Sequence, residues 1–442
     1  MNESPHAFKP DGPPAPSFAE ALRFWLKLGF ISFGGPTGQI GMMHAELVER
    51  KKWISNARFL HALNFCMLLP GPEAQQLAIY IGWLLHKTRG GIVAGVLFVL
   101  PSIVILWMLS YVYVIYGNIP WIAAIFYGLK PAVLAIVAAA VIRIGRKALQ
   151  NELMWAIAAA AFVAIYFFQG PFPLIIVSAA LVGLAGGKFS PRFFSVQAEN
   201  DSGSIALENG ELPAHTRPSV ARMLKICAIS LPLWWVPVAL AGVLLGTQNT
   251  IYQEGLFFSK AAMVTFGGAY AVLPYVSQQA VEIYHWLSAG QMLDGLGLAE
   301  TTPGPLIMVL QFVGFLGGWN HPGNLPPLLA ATLGALITTW TTFVPCFLWI
   351  FLGAPYIEQV RGNRSLSTAL STVTAAVVGV ILNLAVWFGL HVLFPAGTID
   401  WFGVTVCVIA FFGILRWKWN VIPVVLGSGF AGLLFKLLLG AP

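Results

Sequence analysis

Residues 90–117, "GGIVAGVLFVLPSIVILWMLSYVYVIYG", run for 28 positions without a charged side chain. As a helix this stretch is about 42 Å long, more than the roughly 30 Å hydrocarbon core of a bilayer. The chain has little polar surface with which to cover such a segment in water. Only 9% of its 442 residues are charged, against about 25% in soluble domains. Similar apolar runs over 120–147, 152–168, 172–188, 223–247, 326–353, 365–395, 399–415 and 420–440 predict an all-α polytopic membrane protein. The net charge of +7 then reflects basic loops on one side of a membrane and not a nucleic-acid surface. The opening "MNESPHAFKPDGPPAPSFAE" lacks the apolar core and cleavage pattern of a signal peptide, so residues 1–17 read as a disordered tail. Four cysteines (Cys66, Cys227, Cys346, Cys407) lie scattered without a CxxC pair. They indicate no disulfide framework, no metal site and no cofactor, and read as small core residues.

The chain repeats itself. At a constant offset of 233, "RFWLKLGFISFGG" (23–35) lies over "LFFSKAAMVTFGG" (256–268), and "LVERKKWIS" (47–55) over "AVEIYHWLS" (280–288). The "PGP" at 70–72 lies over the "PGP" at 303–305. Beyond Leu77 an insertion, "WNHPGNLPP" (319–327), moves the offset to 244. This divides the chain into an N-terminal repeat (18–188), a polar linker (189–222), a connecting segment (223–247) and a C-terminal repeat (250–442).

Basic residues orient the two repeats. Arg50, Lys51, Lys52, Arg58, Lys87, Arg89, Arg143, Arg146 and Lys147 of the first repeat have no charged equivalents in the second. Conversely, Arg361, Arg364, Arg416 and Lys418 match neutral loops of the first. Cytoplasmic loops collect Lys and Arg, so equivalent loops face opposite sides and the repeats have inverted topology, the segment 223–247 supplying the odd crossing. The expected path starts with a cytoplasmic N-terminus, keeps the linker cytoplasmic, and ends with a periplasmic C-terminus. Segments 18–33, 37–50, 55–69 and 72–86 are each about 23 Å long as helices. Meeting at "FGGP" and "LPGP", they suggest short broken or re-entrant hairpins in each half; tilted or kinked spans are the alternative.

Irregular backbone at membrane depth is tolerated only where protein or a wet cavity surrounds it. If the four breaks meet, helix N-termini converge there and form an anion site from free N–H groups and aligned dipoles. The candidate binding residues are Lys27, Gly34, Gly35, Pro36, Thr37 and Gln39, then Gly71, Gln75 and Gln76, with Lys260, Gly267, Gly268, Thr302 and Gly304 in the second half. Lys27 and Lys260 either neutralise a dianion or snorkel to the interface. Glu73, at the first turn after "PGP", and Glu300, just before "TTPGP", are candidate proton carriers. His61 and Asp294 occupy equivalent positions, and one of them is a further titratable candidate. Arg143 and Arg146 read as topological anchors or as guards of a cytoplasmic vestibule. Glu49 and Glu282 read as partners of the interfacial Trp53 and Trp286.

The stretches "FISFGGPTGQIGMMHAELVERKKW" (30–53), "FLHALNFCMLLPGPEAQQLAIYIG" (59–82), "MVTFGGAYAVLPYV" (263–276) and "LGLAETTPGPLIMVLQFVGF" (296–315) together resemble the chromate ion transporter family, in its long form with two fused domains. The resemblance covers essentially the whole chain outside the tail and linker. It implies a bacterial inner-membrane carrier that exports chromate with the proton motive force and confers chromate resistance, some relatives being linked to sulfate. Its motif positions here are Gly34, Gly35, Pro36, Pro70, Gly71, Pro72, Glu73, Gln76, Gly267, Gly268, Pro303, Gly304 and Pro305. The second half departs from the first, with Leu306 and Met308 where the first has Glu73 and Gln75, so the first half is expected to supply more of the polar chemistry. Absent GxSxG, HExxH and Walker patterns, neither an enzyme nor an ATP-driven pump is expected. The alternatives are a sulfate carrier or a passive anion channel. Expected partners are a chromate or sulfate anion, protons and the bilayer, in a monomer or homodimer.

Overall fold

The computed structural model describes residues 16–33, 35–189, 219–356 and 364–439. Most of the expected tail, nearly all of the linker, Gly34 and Arg361 lie outside the described residues. Within them the chain is all-α, the backbone of a polytopic membrane protein, and six helices are long and apolar enough to cross a membrane.

The first repeat opens with α1 (Phe18–Ile31), started by Ser17, whose Oγ accepts from Glu20 N. α2 (Gly35–His44) continues into a π-helical turn, Ala45–Arg50, and α3 (Asn56–Leu68) follows. α4 spans Glu73–Tyr116, but its helix is broken at His86 (φ −136°) and Lys87 (φ +56°). That break divides it into a short limb and a membrane-length limb, as the apolar pattern anticipates. α5 (Pro120–Ala148), α6 (Glu152–Tyr166) and α7 (Phe172–Phe189) complete the repeat, and α8 (Val220–Leu245) connects to the second. There, α9 (Thr250–Val264) and α10 (Ala269–Ser277) precede a second π-helical turn, Gln278–Ile283, then α11 (Ala289–Thr301) and α12 (Val309–Asn320). The long helices are α13 (Pro327–Gly353), α14 (Arg364–Leu393), α15 (Trp401–Arg416) and α16 (Val421–Leu439).

The sequence repeat recurs in single hydrogen bonds. Trp53 N donates to Leu47 O at 2.8 Å, and Trp286 N, 233 positions later, donates to Ala280 O at 2.8 Å. Lys52 and His285 occupy the same left-handed conformation, both at φ +52°. Ser55 caps α3 and Ser288 caps α11, each accepting from the third backbone N–H of its helix. Chance does not reproduce a π-turn, a strained residue and a cap at one spacing.

The two halves interlock. α5 packs against α14, α15 and α16, whereas α14 packs against α5, α6 and α7. With little hydrophobic drive between helices in lipid, such contacts depend on close approach and hydrogen bonds. Here a Cβ on Gly128 would lie 2.1 Å from Ser428 O, and one on Gly183 would lie 2.2 Å from Thr372 Oγ1. Thr372 donates to Ala179 O at 2.8 Å and Thr368 to Gly183 O at 3.0 Å. Trp121, Trp155, Trp401 and Trp417 are exposed at helix ends, the placement of interfacial anchors.

Candidate functional site

The breaks of one half meet the breaks of the other. Gly71 N donates to Thr265 O at 2.7 Å, and Gly304 N donates to Ser32 O at 2.8 Å. Donors and acceptors in these two bonds are each 233 positions apart. Each "PGP" is therefore stitched to the backbone just before the opposite "FGG". The glycines are required by conformation, with φ +124° at Gly71 and +106° at Gly304, values that L side chains rarely adopt. They are required by space as well. A Cβ on Gly71 would sit 2.9 Å from Cys346 Sγ, and one on Gly304 only 1.6 Å from Ser102 Oγ. Ser102 and Cys346 follow Pro101 and Pro345 at the offset of 244, so this contact is duplicated too.

The "FGG" glycines behave differently. Gly35 (φ +66°), Gly267 (φ +79°) and Gly268 (φ +91°) also hold left-handed backbone, yet among the described residues no atom beyond their own chain neighbours and helix backbone lies within 4 Å of a Cβ built on any of them. One class of break is locked by packing, and the other borders open space. α10 begins directly after Gly268 with no side-chain cap, and α4 begins after Pro72, also uncapped. Their first N–H groups are the unpaired donors that oxyanions use. Ser32, whose backbone carbonyl is fixed by Gly304 N and Gln39, adds a fully buried hydroxyl without a hydrogen-bond partner among the described residues. Gln39 Nε2 spans the junction, reaching Ser32 O at 3.2 Å and Gly304 O at 2.5 Å.

Not every candidate from the sequence reaches this junction. The side chains of Lys27, Lys260 and Thr37 are exposed, and no hydrogen bond or ion pair holds either lysine among the described residues. Pro36 is half-buried in the first turn of α2. Gln75 and Gln76 are buried, and each donates one amide N–H, to Gly95 O (3.5 Å) and Pro70 O (2.8 Å), while their Oε1 atoms have no partner among the described residues. The Thr302 hydroxyl bonds back to Ala299 O at 3.1 Å. Glu73 is half-buried at the start of α4, near the thiol of Cys66.

Charge is distributed otherwise than expected. Among the described residues, the buried carboxylates are Glu254, Asp294 and Glu300, all in the second half. Tyr270 OH donates to Glu300 Oε1 at 2.5 Å, and Arg143 of α5 reaches the same pair. Tyr113 OH donates to Asp294 Oδ2 at 2.9 Å, and Lys130 Nζ lies 3.6 Å from that oxygen. The second half has Leu306, Met308 and Val309 where the first has Glu73, Gln75 and Gln76, but it carries acids on α11 that lie beside bases on α5 of the first half. Lys130, Tyr113, Tyr270, Ser32 and Ser102 were not singled out in the sequence. Lys130 had a readable signal, a charge inside an apolar run; Ser32 had none.

Across both repeats, residues 19–184 and 253–433 match the profile of the Chromate transporter family. The chain belongs to the chromate transporter family. It is similar to a probable chromate transport protein of Synechococcus elongatus (32% identity, over 85% of this chain and 86% of the relative). It is also similar to chromate transport proteins of Cupriavidus metallidurans (30%, over 84% and 83%) and Pseudomonas aeruginosa (31%, over 95% and 93%). Membership accounts for the two-part organisation and for the multi-pass membrane character of the helices. No solved structure matches the chain.

Proposed function

We propose that this protein is a secondary carrier that exports chromate across the bacterial inner membrane, driven by the proton motive force, and so confers resistance to chromate. The observation that carries the reading is the reciprocal stitch, Gly71 to Thr265 and Gly304 to Ser32. It brings broken helices from equivalent positions of two halves to one place, the arrangement in which secondary transporters hold substrate. The interlocked packing of α5 and α14 and the opposed distribution of loop charge support inverted repeats, with a cytoplasmic N-terminus and a periplasmic C-terminus. The halves complete the junction within one chain, which supports a functional monomer.

In this reading a tetrahedral oxyanion rests beside Gly35, Gly267 and Gly268. It is held by the Ser32 hydroxyl and by the uncapped N-termini of α10 and α4, while Glu73 and Glu300 carry protons. Gly71, Gly304 and Gln39 keep the breaks in register. The exposed Lys27 and Lys260 attract anions toward the protein without touching the bound one. Lys27→Ala should therefore leave the apparent affinity for chromate within about 2-fold of wild type, whereas a 10-fold loss would place the lysine in the site. Sulfate, of the same shape and charge, is expected to compete.

The direct test is reconstitution. Proteoliposomes given a pH gradient and no chromate gradient should accumulate chromate against its concentration. Flux that only equilibrates chromate would replace the carrier reading with a channel.

A further inference from the structure

Glu254 has no role in the site above, and its surroundings are unusual. It lies in the second turn of α9 and is 0% exposed, and neither carboxylate oxygen has a hydrogen-bond partner among the described residues. A Cβ on Gly317 of α12 would lie 2.2 Å from Oε1, and one on Gly334 of α13 would lie 2.7 Å from Oε2. The carboxyl group thus fills a notch that exists only because both facing residues are glycines. The two helices cross closely just beside it, where a Cβ on Gly314 would lie 2.6 Å from Gly334 O. The equivalent position in the first half is Ala21. The acid is therefore found in the second half alone.

Among the described residues no positive charge faces it, Lys260 of the same helix being exposed. α12 and α13 contain no charged residue, and the titratable groups on the packed elements are Cys346 of α13 and Tyr270 and Tyr275 of α10. Trp286, 3.2 Å from a Cβ on Gly317, closes the notch from a loop that also carries Tyr284 and His285, the latter exposed. α8 meets α9 through Val238, at Gly255, whereas its Arg222, Lys225 and Cys227 lie in its first turns. An ionised carboxylate without a protein partner is costly in such a place, and the neutral acid is far less so.

From this geometry we infer that Glu254 is a second proton-binding site, separate from the junction, whose proton is held while α9, α12 and α13 are packed and released when they part. The inference rests on the carrier reading for its role, since alternating access supplies the separation, but its chemistry does not depend on the substrate. Binding a proton closes the α9–α12–α13 seam, and losing it opens the seam to water.

Two measurements on the full-length protein test this. In wild-type proteoliposomes treated with dicyclohexylcarbodiimide, a reagent for protonated carboxyls in apolar surroundings, peptide mass spectrometry should find Glu254 modified at pH 6 and at least 5-fold less at pH 8.5. Absence of modification at every pH would overturn the site, whatever anion is carried. In Glu254→Gln, confirmed as monodisperse in detergent, chromate binding should persist. Both chromate–chromate exchange and gradient-driven flux should fall at least 10-fold and lose their dependence on pH, because the amide cannot release a proton and the seam stays closed. Exchange at the wild-type rate with the wild-type pH profile would refute the proposal. Wild-type flux that requires sodium in place of choline would also refute it, assigning the notch to a cation.

Discussion

Gly304→Ala should abolish chromate transport, and Ser102→Ala in the same chain should restore part of it. The substitution meets two penalties together. Residue 304 sits at φ +106°, where a Cβ adds about 1–2 kcal/mol. That Cβ would also fall 1.6 Å from Ser102 Oγ, an overlap of the kind that adds about 1–3 kcal/mol when a core is overpacked. Relief requires residue 304 to withdraw from α4, which breaks the bond from Gly304 N to Ser32 O and the bond from Gln39 Nε2 to Gly304 O. Ser102→Ala removes the overlapping oxygen, although it also removes the hydroxyl that donates to Pro303 O, so recovery is partial. Gly71→Ala is the internal control. Its Cβ would be 2.9 Å from both Cys346 Sγ and Gln76 Nε2, and the flexible glutamine can yield. Uptake into inside-out vesicles, normalised to folded protein, should rank wild type above Gly71→Ala, and Gly71→Ala above Gly304→Ala. Equal activity of all three would show that the stitch is not needed.

The same glycines show what a sequence discloses in a membrane protein. Hydrophobic run length marks the long helices, because the bilayer imposes one dimension on all of them. Recurrence of "FGG" and "PGP" at a fixed offset marks the breaks, because positive φ demands glycine in both copies. The pairing of breaks across the halves was not legible, since Gly71–Thr265 and Gly304–Ser32 are backbone bonds that leave no side-chain signature. Nor could the motif separate the packed glycines (Gly71, Gly304) from the open ones (Gly35, Gly267, Gly268). The distinction depends on what lies opposite, Cys346 and Ser102 in one class and, among the described residues, nothing in the other. Charge misled most. The polar "PGPEAQQ" directs attention to the first half, yet Gln75 and Gln76 each use one amide donor on a nearby carbonyl. The buried acids Asp294 and Glu300 become visible as a set only once α11 is placed beside α5. Lys27 and Lys260, matched in sequence, turned out to be matched in exposure.

Glu73→Gln is expected to separate proton coupling from substrate movement. Glu73 is the first residue of α4, immediately after the break that is stitched to the second half, and it is half-buried. It lies at the uncapped N-terminus of α4, whose dipole is the one that an oxyanion uses. Two anions drawn to one dipole repel each other, so a bound dianion is compatible with Glu73 only when the carboxyl is protonated. Substrate and proton are thereby linked with a definite sign: a dianion and one proton at Glu73 travel together, so export carries one net negative charge outward and is driven by the inside-negative membrane potential, the electrical part of the proton motive force. Glutamine mimics the protonated form permanently. The variant should bind chromate at least as tightly as wild type and exchange it across the membrane, while accumulation driven by a pH gradient falls about 100-fold. This pattern differs from that of Glu254→Gln, in which exchange is lost as well, so the two acids are assigned by one pair of assays. Should Glu73→Gln accumulate chromate normally, the coupling proton passes to Glu300. That carboxyl, held by Tyr270 beside Arg143, is the other acid next to a break, and Glu300→Gln would then carry the loss.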